Sequence, residues 1–331
     1  MSQIAFVWND VSIYWSNLIL CCALAATILA ALGLRLLQGE LADAALYLPL
    51  ALVFGFFGAR LQHWYCFYRQ YEDLRQALTD YSVGNFCLTG AIVGAILAAL
   101  LLRLLRGTKD LPGLLDAAAC AGALGISVGK LSAAFYSGDR GKMLFESAFL
   151  QRLPFATALT DPAGNTQWRS AVFFWESLVC FVIFLFVLAL LLSGLVGKEK
   201  KRGGMAFWLF LLLFGGVEII FDSMRYDSAF FRSNGFVSVA QVFGVLVIAS
   251  GLAVFSLQGI RQDGFSLSYP VSWGLFLVGG GIMGYMEYFI QRHGERFVFA
   301  YSVMFLGLCV CLFAVIRLMQ ERKAEAAPAD P

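Results

Sequence analysis

The sequence predicts an all-α protein that crosses a membrane several times, and its composition is the first reason. Of its 331 residues, 60% are hydrophobic and only 14% are charged, whereas soluble domains carry about 25% charged residues and at most about 50% apolar ones. The 24 basic and 22 acidic side chains leave a formal net charge of +2, which creates no field that would attract a polyanion. This composition excludes a soluble enzyme, a nucleic-acid-binding protein and a disordered scaffold.

The second reason is the length of the apolar runs. A helix needs about 20 apolar residues to cross a hydrocarbon core of about 30 Å. Runs of this kind lie at about 11–36, 45–68, 84–105, 111–136, 171–196, 204–225, 236–257, 271–291 and 297–319. They lack the alternation of a β-barrel, and open sheet edges are not tolerated within lipid. The sequence therefore predicts nine membrane-spanning helices.

Basic residues between the runs predict the orientation of the chain, because cytoplasmic connections are enriched in Lys and Arg. Three basic clusters share one side of the membrane only if the N-terminus lies outside. They are Arg103, Arg106 and Lys109; Lys198, Lys200, Lys201 and Arg202; and Arg317, Arg322 and Lys323. The long polar segment 137–170 then faces outward and the C-terminus is cytoplasmic. Residues 320–331 are expected to form a short disordered cytoplasmic tail.

Ionisable side chains inside the predicted spans are the first candidates for function. Placing such a group in a bilayer costs at least about 2.5 kcal/mol, so each one marks a candidate site. They are Arg60, His63, Asp116, Lys130, Glu176, Glu218, Asp222, Arg225 and Glu287. His63, Arg225 and Glu287 lie close to helix ends, where such side chains are expected to reach toward the interface.

The predicted span 204–225 carries a polar stripe. Glu218, Asp222 and Arg225 follow i, i+4, i+7 spacing, which places them on one face of a helix. Asp222 and Arg225 are spaced to pair with each other, whereas Glu218 needs a partner from another helix, for which Lys130 is a candidate. Two interpretations remain open: a buried ion-pair cluster that orders the bundle, and a polar cavity open to the outer leaflet.

Two further features are ambiguous from sequence. Lys130, Arg140 and Lys142 lie where a helix meets the outer loop, and they could hold a lipid phosphate or serve as ordinary interfacial anchors. The glycines at 279–281 could form a hinge, although close helix packing through small residues is the favoured interpretation.

The eight cysteines lie in apolar stretches, where they behave as small hydrophobic residues. With only two histidines and no paired cysteine motifs at ligand spacing, we expect no metal and no cofactor.

The order and spacing of several segments resemble the prolipoprotein diacylglyceryl transferase family of bacteria over about residues 10–257. The matching segments are Val11-Ser-Ile-Tyr-Trp15, Gly58-Ala-Arg-Leu61, Thr89-Gly-Ala-Ile-Val-Gly94, residues 129–142 at the place of the family signature, Asp161-Pro-Ala-Gly164, Arg169 leading to Trp175-Glu176, Asp222-Ser-Met-Arg225 and Ser238-Val-Ala-Gln241. The resemblance implies a seven-helix transferase-like bundle with the N-terminus outside. The chain adds two C-terminal transmembrane helices to this core.

The sequence departs from the family pattern at its most characteristic positions. Where the family signature reads Gly-Arg-x-Gly-Asn-Phe-x-Asn-x-Glu, this chain keeps Gly129 and a basic Lys130. It has Ala133 and Tyr136 at the two asparagines and Gly138 at the glutamate. Glu218 stands where the family has an arginine, which reverses the charge beside an anionic ligand. Leu88 and Ser16 replace a family histidine and a family tyrosine.

The resemblance implies a function in lipoprotein biosynthesis at the bacterial cytoplasmic (inner) membrane. Members of the family transfer the diacylglyceryl group of phosphatidylglycerol to the lipobox cysteine thiol of a prolipoprotein. The expected partners are therefore phosphatidylglycerol or another anionic phospholipid, a prolipoprotein signal peptide and the membrane, with no nucleic acid. The alternatives are a catalytically inactive or repurposed member that binds a lipid or a protein partner, and a transporter.

The resemblance also assigns expected roles to individual residues. Lys130 and Asp222 are the predicted catalytic residues. Asp222 and Asp139 are the carboxylates available as a base, and Asp222 is expected to contribute to proton transfer. The predicted substrate-binding residues are Arg60, Arg140, Glu176, Glu218, Arg225 and Gln241. The expected organisation is a transferase-like membrane domain over residues 1–257, two additional helices over 258–319 and the tail over 320–331.

Overall fold

A computed structural model describes residues 3–80, 85–136, 138–160, 165–196, 203–232, 234–294 and 296–325. Its helices are α1 (Trp15–Leu37), α2 (Leu41–Cys66), α3 (Leu74–Thr79), α4 (Leu88–Leu104), α5 (Leu111–Lys130), α6 (Ala148–Gln151), α7 (Val172–Val196), α8 (Met205–Met224), α9 (Val239–Asp263), α10 (Ser268–His293) and α11 (Phe297–Glu325). Its strands are β1 (Ile4–Trp8), β2 (Val11–Tyr14), β3 (Ala156–Thr160), β4 (Thr166–Ser170), β5 (Phe230–Phe231) and β6 (Asn234–Ser238). The predicted all-α class is confirmed.

A long helix occupies each of the nine predicted spans, and seven of these helices are long and apolar enough to cross a membrane: α1, α2, α5, α7, α8, α9 and α11. The apolar helix α4 has only 17 residues. The helix α10 is not among the seven, because its glycines, serines and tyrosines lower its mean hydropathy. The protein is therefore a multi-pass membrane protein.

The chain divides into two compact units. The first contains Met1–Phe210 and Met224–Asn234, and the second contains Leu211–Ser223 and Gly235–Pro331. The expected division at residue 257 stays a prediction. The helix α11 continues to Glu325, so the first six residues of the expected tail are helical, and residues 326–331 lie outside the described part. The basic cluster 198–202 and the segment 161–164 also lie outside it.

In the first unit, α2 and α4 cross at glycines. A Cβ atom added to Gly94 would lie 2.1 Å from the carbonyl oxygen of Phe54, and one added to Gly58 would lie 2.4 Å from that of Gly90. The backbones of the two helices are therefore in direct contact, as small residues allow in membranes. Beside this crossing, the two helices line an apolar cavity of about 480 Å³.

One buried ionic cluster joins three helix ends of the first unit, namely the end of α1 and the starts of α2 and α5. Arg35 at the end of α1 donates to both carboxylate oxygens of Asp43 in α2, at 3.0 and 2.5 Å, and contacts Asp110 at 3.1 Å. Asp110 also accepts the N–H of Gly113 and so caps α5. Arg35 is fully buried, and the cluster holds the end of α1 against the starts of α2 and α5.

In the second unit, α10 and α11 also pack through glycines. A Cβ atom on Gly279 would lie 2.5 Å from the carbonyl oxygen of Gly307. The helix α10 runs without a break through 279–281. At Gly279, the structure therefore agrees with the favoured interpretation, which is close helix packing through a small residue. Ser238 and Gln241 form a reciprocal capping box that starts α9.

Candidate functional site

Two cations and two carboxylates of the first unit form a closed ring of ion pairs. Lys130 Nζ lies 2.6 Å from Glu176 Oε2 and 3.2 Å from Asp139 Oδ2. Arg225 contacts the same two carboxylates: its Nη2 pairs with Glu176 Oε1, and its Nε lies 3.4 Å from Asp139 Oδ1. Each cation therefore bridges both anions, and the four formal charges sum to zero. We call these four residues the ion-pair ring.

The ring members come from four different segments that meet where α5 ends and α7 begins. Lys130 is the last residue of α5, Glu176 lies in the first turns of α7, and Arg225 directly follows α8. Asp139 lies in the loop after α5 and has a φ of +54°, a left-handed conformation that Asp tolerates better than most residues. Each of the four segments thus contributes one charged side chain to the ring.

A pair of serines fixes α5 against α7 next to the ring. Ser127 Oγ donates to the carbonyl of Ser177 at 2.9 Å, and Ser177 Oγ donates to the carbonyl of Ser127 at 2.7 Å. Because Ser127 precedes Lys130 by one turn and Ser177 follows Glu176 directly, this reciprocal contact sets the spacing between Lys130 and Glu176.

Backbone hydrogen bonds hold the loop that follows α5 on both sides. The strands β3 and β4 pair in antiparallel register from Ala156 with Ser170 to Thr160 with Thr166. Gly141 donates to the carbonyl of Ser170 at 2.8 Å, while Lys142 donates to that of Met224 at 2.8 Å. The segment 140–145 therefore lies between the 224–226 segment and β4, and this small sheet brings Arg225 to Asp139.

The members of the ring differ in exposure. The Glu176 side chain is 1% exposed, those of Lys130 and Arg225 are 10% exposed, and that of Asp139 is 21% exposed. Burial by itself raises the pKa of Asp139, but Lys130 and Arg225 lower it to about 2. Asp139 is thus an anion at any physiological pH.

A second acidic residue, Asp227, contacts the backbone of Asp139. Asp227 Oδ2 accepts the backbone N–H of Asp139 at 3.0 Å. Burial, followed by the nearby charge of Asp139, raises the pKa of Asp227. The carbonyl of Asp139 accepts the N–H of Phe173 at the start of α7, at 3.2 Å. The backbone of Asp139 is therefore held at both its N–H and its carbonyl.

The structure places predicted site residue Arg140 beside the ring but engages it with backbone groups. Its guanidinium donates to the carbonyls of Ala158 at 2.6 Å and Tyr136 at 3.0 Å. The Arg140 side chain is buried, and this burial lowers its pKa. Arg140 thus connects β3 to the loop that follows α5, and its expected role in binding a phosphate stays a prediction.

Arg60 lies in α2 and is fully buried. It donates to the carbonyls of Ala77, Asp80 and Asn85 at 2.5, 2.6 and 3.1 Å. These contacts show that Arg60 braces the segment that follows α2. Its expected part in substrate binding stays a prediction.

The remaining predicted residues lie in the second unit. Glu218 and Asp222 are buried on α8. Gln241 uses its Oε1 atom to accept the N–H of Ser238 and donates from Nε2 to Glu287 at 2.9 Å. Gln291 also donates to Glu287, at 2.8 Å. Gln241 therefore links α9 to α10.

From sequence, Asp139 is predicted only as an alternative base and not as a partner of the two cations. Lys130 is predicted to pair with Glu218 from another helix and Arg225 with Asp222 along its own helix, and these two pairings stay predictions. The carboxylates that the structure brings to both cations are Glu176 and Asp139. Asp139 lies in a loop, where no helical periodicity indicates its partners.

The ring offers two cations within reach of one anion, an arrangement suited to a phosphate group. Within the described ranges, no group of three or more His, Cys, Asp or Glu side chains is arranged to hold a metal ion.

Comparison with known proteins relates this arrangement to one family. A search of curated proteins found no match. The family model "Prolipoprotein diacylglyceryl transferase" matches residues 3–257, which is most of the chain and includes all four ring members. A multi-pass helical protein that matches this model over most of its length belongs to the prolipoprotein diacylglyceryl transferase family.

Proposed function

We propose that this protein transfers the diacylglyceryl group of phosphatidylglycerol to the lipobox cysteine of a prolipoprotein at the bacterial inner membrane. Family membership supports a transferase-like function with lipid and prolipoprotein substrates. The single observation that carries the proposal is that Lys130 and Arg225 contact the same two carboxylates. Two cations that share one anion can equally share one phosphate.

The reaction requires the following changes of bonds. The cysteine sulfur forms a bond to the terminal glyceryl carbon of the lipid, and the bond from that carbon to the phosphate oxygen breaks. Glycerol phosphate leaves with the electron pair, and the thiol proton passes to a base, for which Asp222 is our candidate. Lys130 and Arg225 stabilise the charge that develops on the leaving phosphate.

A lipidation assay tests the proposal. The purified protein is incubated with phosphatidylglycerol and a lipobox peptide, and mass spectrometry detects the thioether product. We expect product with the wild-type chain, and at least about a hundredfold less with Lys130→Met, because a cation at a developing negative charge contributes about that much to a rate. Lys109→Met removes a cation of the connection 103–110, away from the ring, so it serves as the matched control and should keep its activity. Absence of product from the wild-type chain at every pH, beside an active family member, would refute transferase activity.

A non-catalytic lipid- or partner-binding role is the second candidate. The observation in its favour is that Ala133, Tyr136 and Gly138 replace the polar residues of the family signature and that Glu218 replaces an arginine. If this role is correct, the wild-type chain binds phosphatidylglycerol without forming product. Activity that appears only after Glu218→Arg and Ala133→Asn would support this second candidate, whereas activity in the wild-type chain would contradict it.

A further inference from the structure

Asp139 is the most loosely held member of the ion-pair ring. Its contacts to Lys130 and Arg225 measure 3.2 and 3.4 Å, whereas Glu176 lies 2.6 Å from Lys130 and also pairs with Arg225. The Asp139 side chain is also the most exposed of the four, at 21% against 1% for Glu176. Of the two carboxylates that face the cations, Asp139 is therefore the one that an incoming anion meets first.

The backbone of Asp139 does not have to move for its side chain to leave the ring. Its N–H is bound by Asp227, and its carbonyl is bound by the N–H of Phe173. A rotation about the side-chain torsions is enough to withdraw the carboxylate toward water, because staggered rotamers interconvert readily at partly exposed sites. Glu176 has no such freedom, since it is buried within the helix packing of α5 and α7.

We propose that Asp139 occupies the position of a phosphate group between Lys130 and Arg225, and that an anionic phosphate ligand binds by displacing it. This inference rests on the proposed function, which assigns a phospholipid headgroup to the two cations. A carboxylate and a phosphodiester each present two anionic oxygens with one net negative charge. Exchange of one for the other therefore keeps the ring neutral and satisfies both cations in the same way.

Asp139 then determines the specificity of the site. A ligand must compete with a carboxylate that is covalently attached to the protein and therefore present at high effective concentration. A weak or neutral headgroup does not overcome this competition, whereas a phosphate that bridges both cations does. The affinity of the site for a phosphate ligand is therefore lowered by Asp139, whereas Lys130 and Arg225 favour binding.

Two variants test the proposal. Asp139→Asn removes the charge and keeps a residue that tolerates the left-handed backbone, and Asp139→Gly removes the side chain at a φ that glycine adopts without strain. The matched control is Asp10→Asn, which removes the same charge from another left-handed position, with a φ of +63°, in the turn between β1 and β2. Affinities are measured for inorganic phosphate, for glycerol 1-phosphate, and for nanodiscs of phosphatidylglycerol or of phosphatidylcholine.

We expect both Asp139 variants to bind phosphate ligands at least about tenfold more tightly than the wild-type chain, while Asp10→Asn leaves the affinity unchanged. Tighter binding of all three phosphate probes indicates a site for the phosphate itself, and tighter binding of phosphatidylglycerol nanodiscs alone indicates a site for the intact lipid. A merely structural role for Asp139 would weaken binding. Equal or weaker binding in both variants, or an equal gain in Asp10→Asn, overturns the proposal.

The lipidation assay separates this inference from the proposed function. If the Asp139 variants bind phosphate more tightly and the wild-type chain yields no thioether product, the displacement mechanism stands and transferase activity fails. If the wild-type chain yields product and neither variant gains affinity, transferase activity stands and the displacement mechanism fails.

Discussion

At the scale of single residues, Glu176 has the largest effect on the site because it is the buried carboxylate of the ion-pair ring. Replacing Glu176 by Gln leaves Lys130 and Arg225 largely buried, with Asp139 as their remaining ring partner. We expect a loss of about 3 kcal/mol in the free energy of unfolding, the usual cost of breaking a buried ion pair on one side. Thermal melting in detergent measures the loss, with Asp10→Asn as the control. A melting temperature equal to that of the control would show that the ring does not contribute to stability.

The pKa of Asp139 predicts a pH dependence at the same scale. Its folded pKa of about 2 lies below the ordinary value of 3.8, so its contribution to stability is complete above pH 3.8 and disappears as the pH falls toward 2. This pKa shift corresponds to a contribution of about 2 kcal/mol to the free energy of unfolding. The free energy of unfolding of the wild-type chain should therefore fall more steeply between pH 4 and pH 2 than that of Asp139→Asn. Parallel pH profiles for the two proteins would contradict this assignment.

At the scale of elements, the crossing of α2 and α4 depends on glycines that allow backbone contact. Gly94→Ala would place a methyl group 2.1 Å from the carbonyl oxygen of Phe54, and a backbone atom cannot rotate away as a side chain can. We expect a destabilisation of about 2 kcal/mol, as for other overpacked sites. Gly33→Ala is the matched control, since a Cβ there meets nothing within 4 Å. Equal melting temperatures for the two variants would show that the helices shift apart at little cost.

The positions of the helices can be predicted from the sequence, whereas the contacts between them cannot. The positions of the nine long helices follow from apolar runs, because length and hydropathy are local properties. The α2–α4 contact does not follow from them, since glycines outside a contact, such as Gly33, are indistinguishable in sequence from Gly94. The buried Arg35–Asp43 pair was not among the predicted candidates, because Arg35 lies at the end of its apolar run and Asp43 lies between two runs.

At the scale of the whole molecule, we predict that the N-terminus and the ion-pair ring face outward. In the first unit, Arg35, Asp43 and Asp110 gather at one end of the helices, next to the basic connection 103–110, while the ring lies at their other end. The positive-inside rule assigns the former end to the cytoplasm. In spheroplasts, a membrane-impermeant maleimide should label Gln3→Cys directly and Lys109→Cys only after permeabilisation. The wild-type chain controls for its native cysteines, and the reverse pattern would invert the orientation.

The sequence alone determined that this protein is a helical membrane protein, because the composition of each apolar run is a local property that lipid selects independently of the rest of the chain. It also identified Lys130, Glu176 and Arg225 as unusual, since charges at membrane depth are costly wherever they stand. Only the tertiary structure decided which charges meet. The ring joins α5, α7, the segment after α8 and a loop residue in a left-handed conformation, and such contacts depend on long-range packing that no sequence period encodes.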